Sequence, residues 1–356
     1  MRGRMDLPAG RARAPALVAG AAVLSWLALA TLSPAVSAQG IDIAKLLDRY
    51  AAADYDAAQV PDAGNPDRFV HAVERDAARW ILAGEDVASR RLIAAAFALE
   101  AAESLLQSPR RILYRRLFEW ARLQVRPLPP SDRLTAWHLA AVSLLMRAED
   151  WPLLAGNAEA KGGYLAHARA AAPNEPRFRL AAVVAAESRA VTSRKTPLPG
   201  RIADPLLERL ASQYAELASI PQIAAEARLR HGVTMIRIGR EDAALADFVE
   251  VEKMTTDSHV RHVAAFLSGV IHERAGRPGE ALRRLRRALE IAPGAASATS
   301  MAAALLMADG KADEAAVLTE AVFAGPAAVV DPWRLYPSGD GRLWSAHIAQ
   351  LRRVLR

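Results

Sequence analysis

Cysteine is absent from all 356 residues. That single absence excludes disulfides, Cys-ligated zinc, iron–sulfur clusters and a thiol nucleophile. Aromatic residues make up only 6% of the chain, so a core must come from small and medium side chains, chiefly Ala and Leu, at close helix contacts. No period-2 alternation marks a strand, and no turn signal marks a hairpin. Without strands there is no strand–loop–helix phosphate cradle, and no Gly-x-Ser-x-Gly elbow occurs. A basic stripe interleaved with stacking aromatics is also missing, which argues against a nucleic-acid partner. After residue 38 no run is long and apolar enough to span a bilayer.

What is present begins with an address. Arg2, Arg4, Arg11 and Arg13 precede an apolar stretch from Ala14 to Leu32 that only Ser25 and Thr31 interrupt. Pro34 follows, and Val36-Ser37-Ala38 supplies small residues where a signal peptidase reads. Residues 1–38 are therefore expected to be a signal peptide, cleaved after Ala38 to leave Gln39 first, with the protein exported to the periplasm or beyond the cell. The alternative is an uncleaved anchor, because the apolar stretch approaches the roughly 20 residues of a membrane span. No arginine pair precedes the stretch and no cysteine follows it, so neither twin-arginine export nor a lipid anchor is indicated. The formal charge of the whole chain is +7. Four arginines against Asp6 put +3 of this in residues 1–38, and the remainder is only mildly basic.

Helical periodicity fills the rest. Asn65 is suited to cap a helix and Pro66 to open it. Phe69, Val70, Val73, Ala77, Trp80 and Ile81 then share one face, and Gly84 ends it. Further helices are expected near 86–106, 110–124, 132–148, 160–171, 176–192, 203–218, 222–238, 241–254, 258–275, 278–291, 295–309, 312–324 and 342–355. Proline-rich stretches interrupt at 126–130 and 196–200. The first divides an N-terminal helical region, 39–130, from a more regular array, 131–325. Residues 326–356 differ from both.

The clearest unit runs from Ala265 to Pro293. Gly269 sits within its first helix, where a small residue admits a partner helix, and Gly276 lies at the turn. Ala281, Leu285 and Ala288 follow on the second helix, which Pro293 stops. Gly232, Gly239, Ala244 and Phe248 repeat the pattern 37 residues earlier, with Thr256 in place of the proline, and Gly310 and Ala315 repeat part of it later. This pattern resembles the tetratricopeptide repeat (TPR). The family's small positions are matched by Gly269, Ala281 and Ala288, its large apolar position by Leu285 and its terminal proline by Pro293. Its Trp, Leu and Tyr positions are held here by Ala265, Ser268 and His272. The resemblance covers 220–325 well, 131–220 in degenerate form, and nothing earlier.

The resemblance implies an all-α, right-handed superhelical solenoid of antiparallel helix pairs, with an N-terminal helical cap and a C-terminal capping helix. An isolated helix pair cannot bury its apolar stripe, so neighbours must stack. It also implies a partner groove lined by the first helix of each pair. Carried over by position, the lining residues are Leu229, Val233, Ile236 and Arg237 in one unit and Phe266, Val270, Glu273 and Arg274 in the next. The Lys and Asn with which some members grip a peptide carboxylate have no counterpart at Leu229, Val233, Phe266 or Val270. Apolar walls with a few charges favour a peptide or amphipathic helix of another protein.

Three clusters invite chemistry. His259 and His262 are spaced as metal ligands could be, with His272 and Glu273 further on, yet no supporting carboxylate stands between them. Asp62, Asn65 and Asp67 suggest a calcium loop, but Val73 occupies the twelfth position where a glutamate is needed. Arg283, Arg284, Arg286 and Arg287 form a basic run opposite Ala281, Leu282, Leu285, Ala288 and Leu289. That run is expected to be an exposed face with Glu280–Arg284 and Arg286–Glu290 pairs. No catalytic pair, metal site, cofactor or small-molecule cofactor site is implied. Trp333 and Tyr336 are expected to pack on the last repeat, with Leu343, Ile348, Leu351, Val354 and Leu355 as the stripe of a final capping helix. The functional expectation is an interaction scaffold or assembly subunit in the cell envelope. The alternatives are a helical envelope hydrolase and a membrane-apposed architectural protein.

Overall fold

The computed structural model describes residues 41–58, 65–105, 112–147, 163–192, 205–324, 331–336 and 350–356. Residues 1–38, the proline-rich 196–200 stretch, and Leu343 and Ile348 lie outside them. The described helices belong to one compact unit, Asp42–Arg356. Among the described residues there are fifteen helices and no strand, so the chain is all-α. No helix among them is long and apolar enough to cross a membrane.

The helices are α1 (Ile43–Ala51), α2 (Pro66–Leu82), α3 (Val87–Leu105), α4 (Ile112–Val125), α5 (Asp132–Arg147), α6 (Tyr164–Ala171), α7 (Pro176–Thr192) and α8 (Pro205–Leu217). They continue as α9 (Ala224–Arg237), α10 (Glu241–Met254), α11 (Ser258–Arg274), α12 (Pro278–Ile291), α13 (Ala296–Ala308), α14 (Ala312–Ala324) and the single turn α15 (Pro332–Leu335). Residues 350–355 are again helical.

Local chemistry sets several of these ends. The Asn65 side chain accepts from the Arg68 N–H, and Pro66 fills the first turn of α2. Asn65 therefore serves as a helix cap, and Asp62 lies outside the described residues. Phe69, Val70, Val73, Ala77, Trp80 and Ile81 are all buried on one stripe. Each of the Phe, Val and Ile side chains contributes about 1.5–3 kcal/mol when removed from water. Asp257 caps α11 by accepting from the His259 and Val260 N–H groups.

Three turns share one geometry. Gly239, Gly276 and Gly310 have φ of 79°, 68° and 76°. The N–H after each glycine donates to the carbonyl five residues back: Arg240 to Met235, Arg277 to His272, Lys311 to Leu306. This is the Schellman closure, whose left-handed residue is cheapest as glycine.

Successive helices touch almost throughout, and helices two apart also meet: α1 with α3, α2 with α4, α3 with α5, α5 with α7, and α9 with α11. The closest approaches lie where the repeat pattern puts small residues. A Cβ added to Gly232 would stand 2.6 Å from the Phe248 ring, and one on Gly269 would stand 2.8 Å from Leu285. Phe248 and Leu285 are fully buried, so each glycine is a notch that receives the large side chain of the following helix.

The basic run on α12 departs from expectation in its pairing. Arg283 and Arg286 are exposed, whereas Arg284 and Arg287 reach Glu252 on α10. Arg286 pairs with Glu314 on α14 at 2.8 Å and Arg287 with Glu290 at 2.8 Å. Long side chains find carboxylates on neighbouring helices in place of the expected Glu280–Arg284 and Arg286–Glu290 pairs.

Candidate functional site

Of the eight groove residues carried over from the repeat pattern, Leu229, Val233 and Phe266 are buried. Ile236 and Val270 are half-buried against the same core cluster. Glu273 and Arg274, at the end of α11, are exposed. Arg237 is drawn into a buried ionic network.

That network joins α7, α8 and α9. Glu187 on α7 is 5% exposed. It accepts from the Tyr214 hydroxyl of α8 at 2.5 Å and from the Arg237 guanidinium. Arg230, about two turns before, lies 3.6 Å from the second Glu187 oxygen and donates to Glu226 at 2.8 Å. Burial, then the Glu187 carboxylate, pushes the Tyr214 phenol well above its ordinary pKa, so it stays a donor. Burial works against the Arg230 charge, and the surrounding phenols and carboxylates outweigh it. Both cations are thereby fixed where α9 meets α7.

On this platform lies part of the chain itself. Asp331 caps α15 by accepting from the Trp333 N–H at 2.9 Å, and its other oxygen accepts from the Ser297 N–H at 2.6 Å. Ser297 is in the first turn of α13, where backbone donors lack helical partners. The Trp333 ring packs on Phe266 of α11 at 5.6 Å. Tyr336 is 4% exposed, and the Arg230 guanidinium stands 4.7 Å over its ring. This is a cation–π contact of the arginine type. The Asp331–Tyr336 segment was expected on the last helix pair. It extends further, across α13, α11 and α9.

Residues 350–356 meet α7, α3 and the turn after α1. Gln350 accepts from Arg177 at the start of α7 at 3.4 Å. Arg352 grips Glu100 of α3 with two bonds of 3.0 and 2.8 Å. Its carbonyl accepts from Tyr55, just after α1, at 3.1 Å, and its guanidinium covers the Tyr55 ring at 4.5 Å. Glu100 also accepts from the Tyr50 hydroxyl at 2.6 Å. Residues 331–336 thus meet α13, α11 and α9, and residues 350–356 meet α7, α3 and the turn after α1.

The remaining polar clusters have structural explanations. His262 is wholly buried and donates from Nδ1 to the Ala288 carbonyl at 2.9 Å. Burial lowers its pKa, a shift that this bond opposes. Among the described residues no three His, Asp or Glu side chains gather as metal ligands. A cleft of about 440 Å³ between α6, α7 and α8 is lined by Arg169, Arg179, Gln213 and Glu216, of which Arg179 and Glu216 pair at 2.6 Å. A smaller cavity of about 180 Å³ carries His138, His167 and Arg122.

The sequence offered one signal for the missed residues Glu187, Tyr214 and Arg230. Glu226 and Arg230 are four apart on an otherwise apolar helix face, a pairing whose burial only tertiary contacts reveal. No protein-family model matches the sequence, and no curated protein matches it significantly.

Proposed function

We propose that this chain is a protein-binding scaffold of stacked, TPR-like helix pairs, receiving a polypeptide segment along the face made by its odd-numbered helices. One observation carries the reading: residues 331–336 already lie against α13, α11 and α9, using carboxylate and aromatic contacts. The shared 37-residue register of Gly232/Phe248 and Gly269/Leu285 supports the repeat reading, as do the odd-to-odd helix contacts. Stacked pairs of this kind present one continuous surface, and aromatics with arginine are the side chains that dominate binding energy at interfaces.

The test is site-specific photo-crosslinking in the native cell. A crosslinker at Val270 or Glu273 on α11 is expected to capture one defined partner, while one at Val249, exposed on α10, is not. Equal capture from both positions, or none from α11, would refute the assignment of the face. The envelope location is part of the same proposal and rests on the basic–apolar–small-residue pattern of residues 1–38. Mature protein starting at Gln39 in an envelope fraction is the expected result. Full-length protein in the cytosol would remove it.

A further inference from the structure

Resting on the scaffold reading, we infer that residues 331–336 are an internal ligand, seated where a partner segment of the same chemistry binds in their place. That partner presents an acidic residue followed by proline, with a tryptophan two positions and a tyrosine five positions beyond the acid.

Each element of the seat has its own reason. The α13 N-terminus offers an unpaired N–H at Ser297, which takes a carboxylate oxygen at 2.6 Å. Phe266 offers an aromatic wall, already aligned parallel to His262 with ring centroids 6.3 Å apart. Arg230 offers a cation whose charge is met by Glu226 and Glu187, leaving its flat face for the Tyr336 ring. The Arg230 side chain is held by Glu226 and Glu187, and that of His262 by the Ala288 carbonyl, all from the helices themselves. Tyr336 and Asp331 add to the electrostatic environment of the two groups, so the seat is pre-formed in its hydrogen bonds, which lowers the reorganisation cost of exchange.

The segment's contribution is correspondingly modular. Asp331 both caps its own turn and reaches Ser297, and Trp333 and Tyr336 stack on each other at 6.3 Å, with planes 21° apart. A short turn that organises its own side chains transfers readily to another chain. Only six residues separate Ala324 of α14 from Asp331. A ligand within the same chain competes at an effective concentration on the order of millimolar. A partner must beat that value, so weak segments are rejected and only a matching one enters.

The experiment uses the whole mature chain and a fluorescein-labelled peptide with the sequence of residues 329–338, followed by anisotropy. Trp333→Ala/Tyr336→Ala weakens the internal copy and is expected to raise affinity for the peptide at least tenfold over the unaltered protein. A peptide carrying the same two alanines should not bind. Asp331→Ala, a milder change, should raise affinity a few-fold. If the double variant keeps its helical circular dichroism and binds no better than the unaltered protein, the inference is overturned. If the double variant does not fold, Asp331→Ala decides alone, and unchanged affinity there overturns it equally. Failure here with crosslinking from α11 intact would leave the scaffold reading standing and make residues 331–336 a fixed part of the core.

Discussion

The helix pairs from α9 to α14 and those from α1 to α7 are held together by different means. In the first group the contacts are short-range and repetitive: a glycine notch, a large apolar side chain some sixteen residues later, a left-handed glycine at the turn. In the second group the described connections contain no left-handed glycine, and Ala53 takes the one positive φ, 62°. Polar side chains reach between helices there, as Arg284 and Arg286 also do in the first group, but no repeated glycine notch accompanies them among the described residues. Trp80 donates to Asp48 at 2.7 Å, Arg116 holds Glu74 at 2.5 Å, and Tyr50 and Arg352 share Glu100. One region is built from a rule repeated along the chain, the other from individual agreements between distant residues. Residues 331–336 set aromatics against the regular half, and Arg352 sets a guanidinium against the irregular one.

The largest effect is expected where the halves join. Glu187→Ala leaves Arg230 and Arg237 buried without their shared carboxylate, a loss of about 3–5 kcal/mol. Urea denaturation measures it, and a loss below about 1 kcal/mol would mean that packing alone joins the halves. Next comes His138, 4% exposed on α5. Burial holds its imidazole at about 4, whereas an unfolded chain binds that proton near 6.5. Between those values the unfolded state carries more protons. The stabilisation is therefore complete above about pH 6.5 and is lost as pH falls towards 4, by up to about 3 kcal/mol. His138→Asn should flatten this part of the acid limb, and an unchanged slope would place the acid sensitivity elsewhere.

In the regular half, Gly232→Ala and Gly269→Ala should each cost about 1–3 kcal/mol through overpacking. Trimming the opposing side chain should recover part of the loss, so that Gly232→Ala/Phe248→Leu is less than the sum of its parts. Strict additivity would show that the notches are not where the helices interlock.

Legibility in the sequence follows the same divide. The spans of α7, α10, α12 and α14 coincide with those that periodicity predicts, because capping, turn chemistry and apolar spacing all act within about twenty residues. The nine residues of α1 are too few for a period to emerge, although Asp42 does cap it. The α15 turn announces itself through Asp331-Pro332, but its seat does not: Ser297 lies 34 residues away, Phe266 farther still, and no local pattern connects them. The groove shows the limit most clearly. Register assigns Leu229 and Val233 to a helix face, and both lie in the core. A repeat position gives direction around a helix, not depth, and depth depends on tertiary neighbours that no local pattern names.

The smallest predicted effect tests whether the irregular half depends on that segment at all. Arg352 and Glu100 make a bidentate pair whose side chains are 32% and 23% exposed, so water screens much of the attraction. Arg352→Ala should lower global stability by no more than about 1 kcal/mol. It also removes the cation from the Tyr55 ring and one of two partners from Glu100, while Tyr50 retains its bond to Glu100. Local opening should therefore exceed the global change, with amide exchange faster around Tyr50–Tyr55 and unaltered in α11 and α12. Glu100→Gln keeps the Tyr50 hydrogen bond and weakens the ion pair, so it should reproduce the exchange pattern more mildly. If instead α11 and α12 also exchange faster in Arg352→Ala, the two ends of the segment are energetically coupled, and the halves of the array communicate through it as well as through Glu187.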